Sequence, residues 1–179
     1  MKPILYDELT SWYLLLDPTD EHAPECDCFH DAFERAVEGS AGGEARTLLE
    51  LGSGAGNNVF HLKQHYRCTM SDVSAPMLAL SRDLNPECEA VLGDMRELRL
   101  ERTFDCVLVH DAVTYMTSVE QLRAAVHTAF VHTRPGGAAI FTPDDLADDF
   151  VERCSLVEND DGAGRSLRCL EWEWDPLPG

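Results

Sequence analysis

Positive charge is scarce in this 179-residue chain: fourteen Lys and Arg stand against thirty-three Asp and Glu, a formal net charge of -19. So few cations leave little to neutralise a phosphate backbone, which disfavours nucleic acid as a partner. The acidic excess reads first as solubility and leaves a cationic partner or substrate open. Long apolar runs are missing as well, so no segment can span a bilayer. The start MKPILYDELT is too acidic for a signal peptide. Zinc-ligand spacing is absent: Cys26-Asp27-Cys28-Phe29-His30 has no usual zinc spacing and no second ligand pair, so no metal is expected and the segment reads as helix. Seven cysteines are an odd number, and Cys68, Cys88 and Cys106 sit in apolar, strand-like segments. That suits reduced thiols in a cytoplasm better than a disulfide framework.

What is present is the composition of one globular domain, 44% hydrophobic and 26% charged. Residues Tyr6 to Leu16 mix aromatic and aliphatic side chains and stop at Asp17-Pro18, where proline disfavours further helix. Cys26 to Val37 places Phe29, Phe33 and Val37 at helical spacing and ends in the loop Gly39-Ser40-Ala41-Gly42-Gly43. From there short apolar runs alternate with amphipathic stretches. The runs are Arg46–Leu51, Arg67–Asp72, Glu89–Leu92, Phe104–His110 and Gly137–Thr142, the last following a turn at Arg134-Pro135-Gly136. The first is followed by a glycine turn and a helix through His65. Ser74, followed by Ala75-Pro76, and Ser118 stand where N-caps belong. Strand and helix alternating in this way predict a parallel sheet covered on both faces. The last third differs: after an acidic loop over Glu158–Gly164, Ser166–Asp175 reads as one half-exposed or bulged antiparallel strand.

The strongest chemical signal is Glu50-Leu51-Gly52-Ser53-Gly54-Ala55-Gly56. A glycine turn leaving a parallel strand lets a ligand approach the backbone, and the next helix offers free N–H groups. The dinucleotide fingerprint lacks its third glycine, since Asn57 holds that place, and no lysine follows to make a phosphate loop. Glu50 is poorly placed beside a pyrophosphate but suits a ligand bearing an ammonium and a sulfonium. That charge argument favours S-adenosylmethionine over NAD.

With these motifs in this order, the chain resembles the class I S-adenosylmethionine-dependent methyltransferases over roughly Leu48 to Thr142. The resemblance implies an α/β, Rossmann-like doubly wound sheet of five parallel strands in order 3-2-1-4-5. It also implies N-terminal helices over residues 1–43, a cofactor core over 44–145 and the start of an inserted substrate-pocket segment over 146–179. It assigns Glu50, Gly52, Ser53, Gly54 and Gly56 to the cofactor's cradle, Asp72 to its ribose, and Val73, Met77, Asp94 and Met95 to its adenine. His110 stands at the sulfonium end, either as a general base near neutral pH or as pocket lining. Tyr13 from the lid is expected against the cofactor, and Tyr6, Tyr115, Trp172 and Trp174 against a small-molecule acceptor. The family's last two strands have no counterpart after Asp175, so the expectation is a truncated chain or a second copy completing the sheet edge. The resemblance implies methyl transfer to N, O or C of a small molecule. The competing expectation is a catalytically silent module that binds the same cofactor or dimerises.

Overall fold

Two near-continuous apolar strands, β1 (Thr47–Leu51) and β4 (Phe104–His110), lie side by side and are buried on both faces. Alternate side chains therefore enter different cores. Leu48, Cys106 and Leu108 pack with Phe29, Phe33 and Val37, whereas Leu49, Leu51, Val107 and Val109 pack with Phe104, Val113 and Ala129. A strand buried on one face only would have shown polar alternation instead. The computed structural model describes residues 3–38, 45–146, 148 and 150–175; the expected loop Gly39–Gly43 lies outside them.

Around this pair are β2 (Arg67–Asp72), β3 (Glu89–Leu92) and β5 (Thr133–Thr142), all parallel, in the order β3-β2-β1-β4-β5. The helices are α1 (Ala23–Glu38), α2 (Asn57–Leu62), α3 (Ala75–Leu84) and α4 (Val119–His132). The two serine caps are in place: Ser74 accepts from the Met77 N–H and Ser118 from the Gln121 N–H. Asp105 fastens the start of the sheet, accepting from the N–H groups of Arg46 and Thr47, the Thr47 hydroxyl and Arg134. Burial opposes its charge, but these donors hold its carboxyl down at about 2.

Several boundaries differ from the sequence reading. The Tyr6–Leu16 segment is not one helix: Asp7, at φ −130°, ψ −84°, ends the turn Ile4–Tyr6, and a second turn, Thr10–Trp12, leads directly into the single helical turn Tyr13–Leu16. Helix α2 stops at Leu62, three residues short of His65. Strand β5 begins at Thr133 rather than Gly137: Thr133 already pairs with Phe104, and Arg134-Pro135-Gly136 is absorbed as a register shift, with Gly136 at φ +77°. The C-terminal strand is half of a hairpin. Strand β6 (Arg153–Asp160) pairs antiparallel with β7 (Ser166–Glu173) in unbroken register, so Glu158–Asp160 is strand rather than loop and no bulge is needed. The hairpin rests on the N-terminal turns: Asn159 donates to the Leu15 carbonyl at 2.8 Å and Arg165 to the Ser11 carbonyl at 3.0 Å. Among the described residues, no strand pairs with the outer edge of β5.

Candidate functional site

The strand order reverses between β1 and β4, and the carboxyl ends of these strands open into a cleft of about 370 Å³. A switch point of this kind is where open α/β sheets take ligands. The turn after β1 forms its floor. Gly52 and Gly54 have φ of +78° and +53°, a region that favours glycine. A Cβ on Gly54 would meet only Met77 Cε at 3.6 Å and Tyr13 Oη at 4.0 Å, so its missing side chain is cleft space. Ser53 Oγ, in the same turn, is buried without a hydrogen-bond partner.

Glu50 closes the inner end. It is 1% exposed; Oε1 accepts from Asn58 Nδ2 at 2.9 Å, while Oε2 has no partner. Burial pushes its carboxyl up to about 7, against the Asn58 hydrogen bond. A buried carboxylate oxygen with no donor is costly unless something binds it. At the other end of the turn, Asp72 accepts from the Gly54 N–H at 2.9 Å and the Ser74 N–H at 2.7 Å. Burial nonetheless raises its pKa above the ordinary aspartate value. Val73, Met77 and Met95 line the adjoining wall, with Asp94 held by Arg96.

The N-terminal turns roof the cleft. Tyr6 and Tyr115 share a hydrogen bond of 2.7 Å between their hydroxyls, and the Tyr6 and Tyr13 ring centroids lie 6.0 Å apart. Burial raises the pKa of both Tyr6 and Tyr13, so these phenols stay protonated.

Beneath the roof runs a chain of imidazoles and carboxylates. Asp17 Oδ1 contacts His22 Nε2 at 2.7 Å, His22 Nδ1 contacts Glu25 Oε1 at 2.8 Å, and Glu25 Oε2 contacts His110 Nε2 at 3.2 Å. His110 also faces Asp111 Oδ1 at 3.1 Å. Burial works against charge on His22, yet Asp17 and Glu25 lift it to about 10. Hydrogen bonds from His110 and His22 hold Glu25 at about 2. Burial likewise opposes charge on His110, and Glu25 and Asp111 outweigh it, raising its pKa. Burial pushes Asp111 up to about 7, opposed by His110 and assisted by a hydrogen bond with Asp144.

Of the residues singled out in the sequence, Glu50, Gly52, Ser53, Gly54, Asp72, Val73, Met77, Asp94, Met95 and His110 meet in this cleft, with Tyr6, Tyr13 and Tyr115 over it. Three do not. Gly56 faces inward, where a Cβ would stand 2.6 Å from Asn85 Nδ2 and 2.7 Å from Ser81 Oγ; it serves packing. Trp172 and Trp174 lie on an exposed face of the hairpin, 68% and 55% accessible, and do not line the cleft. The unbroken register of β7 puts Trp172 there, opposite the face carrying Leu167 and Cys169, and Trp174 follows just past the end of the strand. Sequence reasoning missed Asp17, His22, Glu25, Asn57, Asn58 and Asp144. The one available signal was His22 three residues before Glu25, at the start of a helix.

Comparison with known proteins points the same way. The family described as "Methyltransferase domain" matches residues 48–137. The chain is 33% identical over 102 residues to dTDP-3-amino-3,4,6-trideoxy-alpha-D-glucopyranose N,N-dimethyltransferase of Streptomyces venezuelae, covering 56% of this chain and 43% of that protein. It is 32% identical over 109 residues to the cypemycin N-terminal methyltransferase of a Streptomyces species, covering 59% and 44%. The chain thus spans under half the length of these curated relatives. Among solved structures, the fold resembles an S-adenosylmethionine-bound amino pentose methyltransferase from Micromonospora echinaspora, with TM-score 0.75, 24% identity, and coverage of 96% of this chain and 71% of that one. It also resembles DesVI of Streptomyces venezuelae, with TM-score 0.73, 22% identity, and coverage of 92% and 81%.

Proposed function

The chain belongs to the methyltransferase domain family, and on that premise we propose that it binds S-adenosylmethionine in the cleft after β1 and transfers its methyl group to the nitrogen of a small-molecule amine. The observation that carries the reading is Glu50 Oε2, buried and without a partner at the cleft that Gly54 also lines, where a side chain on Gly54 would meet only Met77 and Tyr13. A ligand with an ammonium group supplies what that oxygen lacks. Nitrogen as the accepting atom is supported by the relatives, whose names include N,N-dimethyltransferases of amino sugars. The protein works in the cytoplasm, where its seven unpaired cysteines stay reduced.

When bound, the cofactor supplies a methyl group already activated on a sulfonium. The residues of this chain then have to hold, orient and keep dry. Glu50 would face the ammonium and Asp72 the ribose hydroxyls, with the Gly52–Gly54 backbone beneath. Tyr6 and Tyr13, as neutral phenols, close the mouth against water together with Tyr115. His110, at the end of β4, accepts the proton that the nitrogen sheds, and Glu25 fixes the ring that does so.

Calorimetric titration with S-adenosylhomocysteine tests the reading. The ionised form of Glu50 is the one that accepts an ammonium, so affinity rises as pH passes through about 7 and the Glu50→Gln variant loses that rise. A folded protein that ignores millimolar S-adenosylhomocysteine refutes the proposal. Binding without transfer to any amine points instead to a silent cofactor-binding module. For His110 the sign follows from its raised pKa: only the neutral ring takes a proton, so the acid limb of the rate profile lies above the ordinary histidine value of about 6.5. His110→Ala lowers turnover by roughly 100-fold and removes that limb. An unaltered profile would leave His110 as pocket lining.

A further inference from the structure

We propose that His22 is a positioning residue of the transfer: a fixed imidazolium joined to the donor carboxylate Glu50 through Asn58 and to the base His110 through Glu25, so that one hydrogen-bonded network sets both ends of the site. The inference rests on the methyl-transfer reading above and adds to it a residue that acts through others.

The hydrogens of the network are fixed by its acceptors. His22 closes the turn Thr19–His22, directly before α1, and its side chain is 13% exposed. Its Nε2 lies 2.7 Å from Asp17 Oδ1; its Nδ1 lies 2.8 Å from Glu25 Oε1 and 3.2 Å from Asn58 Oδ1. Acceptors against both ring nitrogens call for a hydrogen on each, which is the cationic ring. The neighbouring amides are oriented by their own bonds. Thr19 donates to Asn57 Oδ1 at 2.9 Å, which turns Asn57 Nδ2 toward Asp17. Although that nitrogen is 3.3 Å from His22 Nε2, it spends its hydrogens on the Asp17 carbonyl and Oδ2, at 3.1 and 3.0 Å. Asn58 gives Nδ2 to Glu50 Oε1 at 2.9 Å, so its oxygen is what remains for His22 and for the Cys26 thiol at 3.5 Å.

At the far end, Glu25 Oε2 meets His110 Nε2 at 3.2 Å, and Asp111 Oδ1 meets the same nitrogen at 3.1 Å. Nε2 therefore keeps its hydrogen, and Nδ1 is the atom that takes the proton from the amine. The charged groups around His22 come from several elements: Asp17 and Glu21 ahead of it, Glu25 on α1, Glu50 on β1, and His110 with Asp111 after β4. Asp72 adds to the field at Glu50, and Asp144 to that at Asp111. Helix α2 faces the ring with Asn57 and Asn58, while its His61 bonds the Thr19 carbonyl. Burial keeps the Cys26 thiol neutral, pushed up to about 12. A cation in this setting lowers the affinity of both functional ends for a proton. It favours ionised Glu50, against the burial that pushes that carboxyl up. It opposes a proton on His110, whose ring centroid lies 6.2 Å from its own. Both effects serve the transfer, leaving a carboxylate ready for the ammonium and a ring ready for the proton.

The test follows the histidine ring nitrogens of the full chain by heteronuclear NMR, and its affinity for S-adenosylhomocysteine by calorimetry, each as a function of pH. In the wild type, His22 is expected to keep both ring hydrogens through neutral pH, up to about 10. His22→Gln removes the charge while keeping a donor. It should move the titration of His110 and the pH at which affinity rises upward together, each by about half a pH unit or more. His22→Lys restores a cation without the ring and should bring both back toward wild type, which a purely structural role for the imidazole would not produce. A wild-type His22 that loses a hydrogen near the ordinary value of about 6.5 overturns the inference, whether or not the variants fold. So does a folded His22→Gln protein in which both titrations stay where they were. Failure of the wild type to bind S-adenosylhomocysteine sinks the methyl-transfer reading and this one with it, an outcome distinct from binding whose pH dependence ignores the His22 substitution.

Discussion

Gly54→Val abolishes binding of S-adenosylhomocysteine in a chain that still folds, whereas Gly56→Ala, two residues on, costs stability. The two glycines share a left-handed backbone, φ +53° and +82°, so each substitution carries a strain of about 1–2 kcal/mol. They differ in what a side chain would meet. At Gly54 the nearest atoms are Met77 Cε at 3.6 Å and Tyr13 Oη at 4.0 Å, so an isopropyl group enters the cleft and fills the cofactor's place. Affinity should fall by at least about 100-fold, equivalent to about 2.7 kcal/mol. At Gly56 the Cβ would lie 2.6 Å from Asn85 Nδ2, 2.7 Å from Ser81 Oγ and 3.2 Å from Met70 Sδ, in a buried cluster where Asn85 also donates to the Gly56 carbonyl. Overpacking of that kind adds about 1–3 kcal/mol of destabilisation. Calorimetry on Gly54→Val and denaturant midpoints on Gly56→Ala check the pair. Retained binding by Gly54→Val would refute the cradle.

Asp72→Ala should weaken S-adenosylhomocysteine by roughly 100-fold and loosen the glycine turn itself. Each charge-assisted hydrogen bond contributes about 1.5–3 kcal/mol, and Asp72 is assigned two kinds. One kind is toward the ribose; the other is already formed, from the Gly54 and Ser74 N–H groups. Asp72→Asn separates them, because an amide oxygen keeps one backbone bond while weakening acceptance from the ribose. Its affinity should lie between wild type and Ala, with a smaller loss of stability. An Asp72→Ala affinity within about threefold of wild type, a difference under about 0.7 kcal/mol, would remove Asp72 from the site.

The parts of this molecule that were legible in the sequence are those specified locally. A glycine turn after a buried strand, a carboxylate closing the next strand and serine caps at two helices each declare themselves within a few residues. The parallel sheet followed from the alternation of strand and helix, its strand order came with the family resemblance, and β2, β3 and β4 lie where their apolar runs placed them. What stayed hidden depends on contacts between distant segments. Glu25 reaches His110 across 85 positions, and Thr19 and Asp17 reach Asn57 across 38 and 40. Those distances are set by how the N-terminal turns fold over the sheet, which no spacing in the chain records. Gly56 looked like the third cradle glycine because its spacing fits, yet only the packing of Asn85, Ser81 and Met70 shows which way it faces. Trp172 and Trp174 looked like pocket walls for a similar reason: alternation marks two faces of a strand but not which of them is covered. Without β6 as partner, β7 offered no way to decide.

A crystal structure of this chain with S-adenosylhomocysteine tests the central claim most directly. The account predicts ribose hydroxyls within hydrogen-bond distance of Asp72, the amino group against Glu50, and the sulfur facing the His110 side of the cleft. A ligand that settles away from the β1 turn, or an adenosyl group that leaves Asp72 bonded only to Gly54 and Ser74, would contradict it.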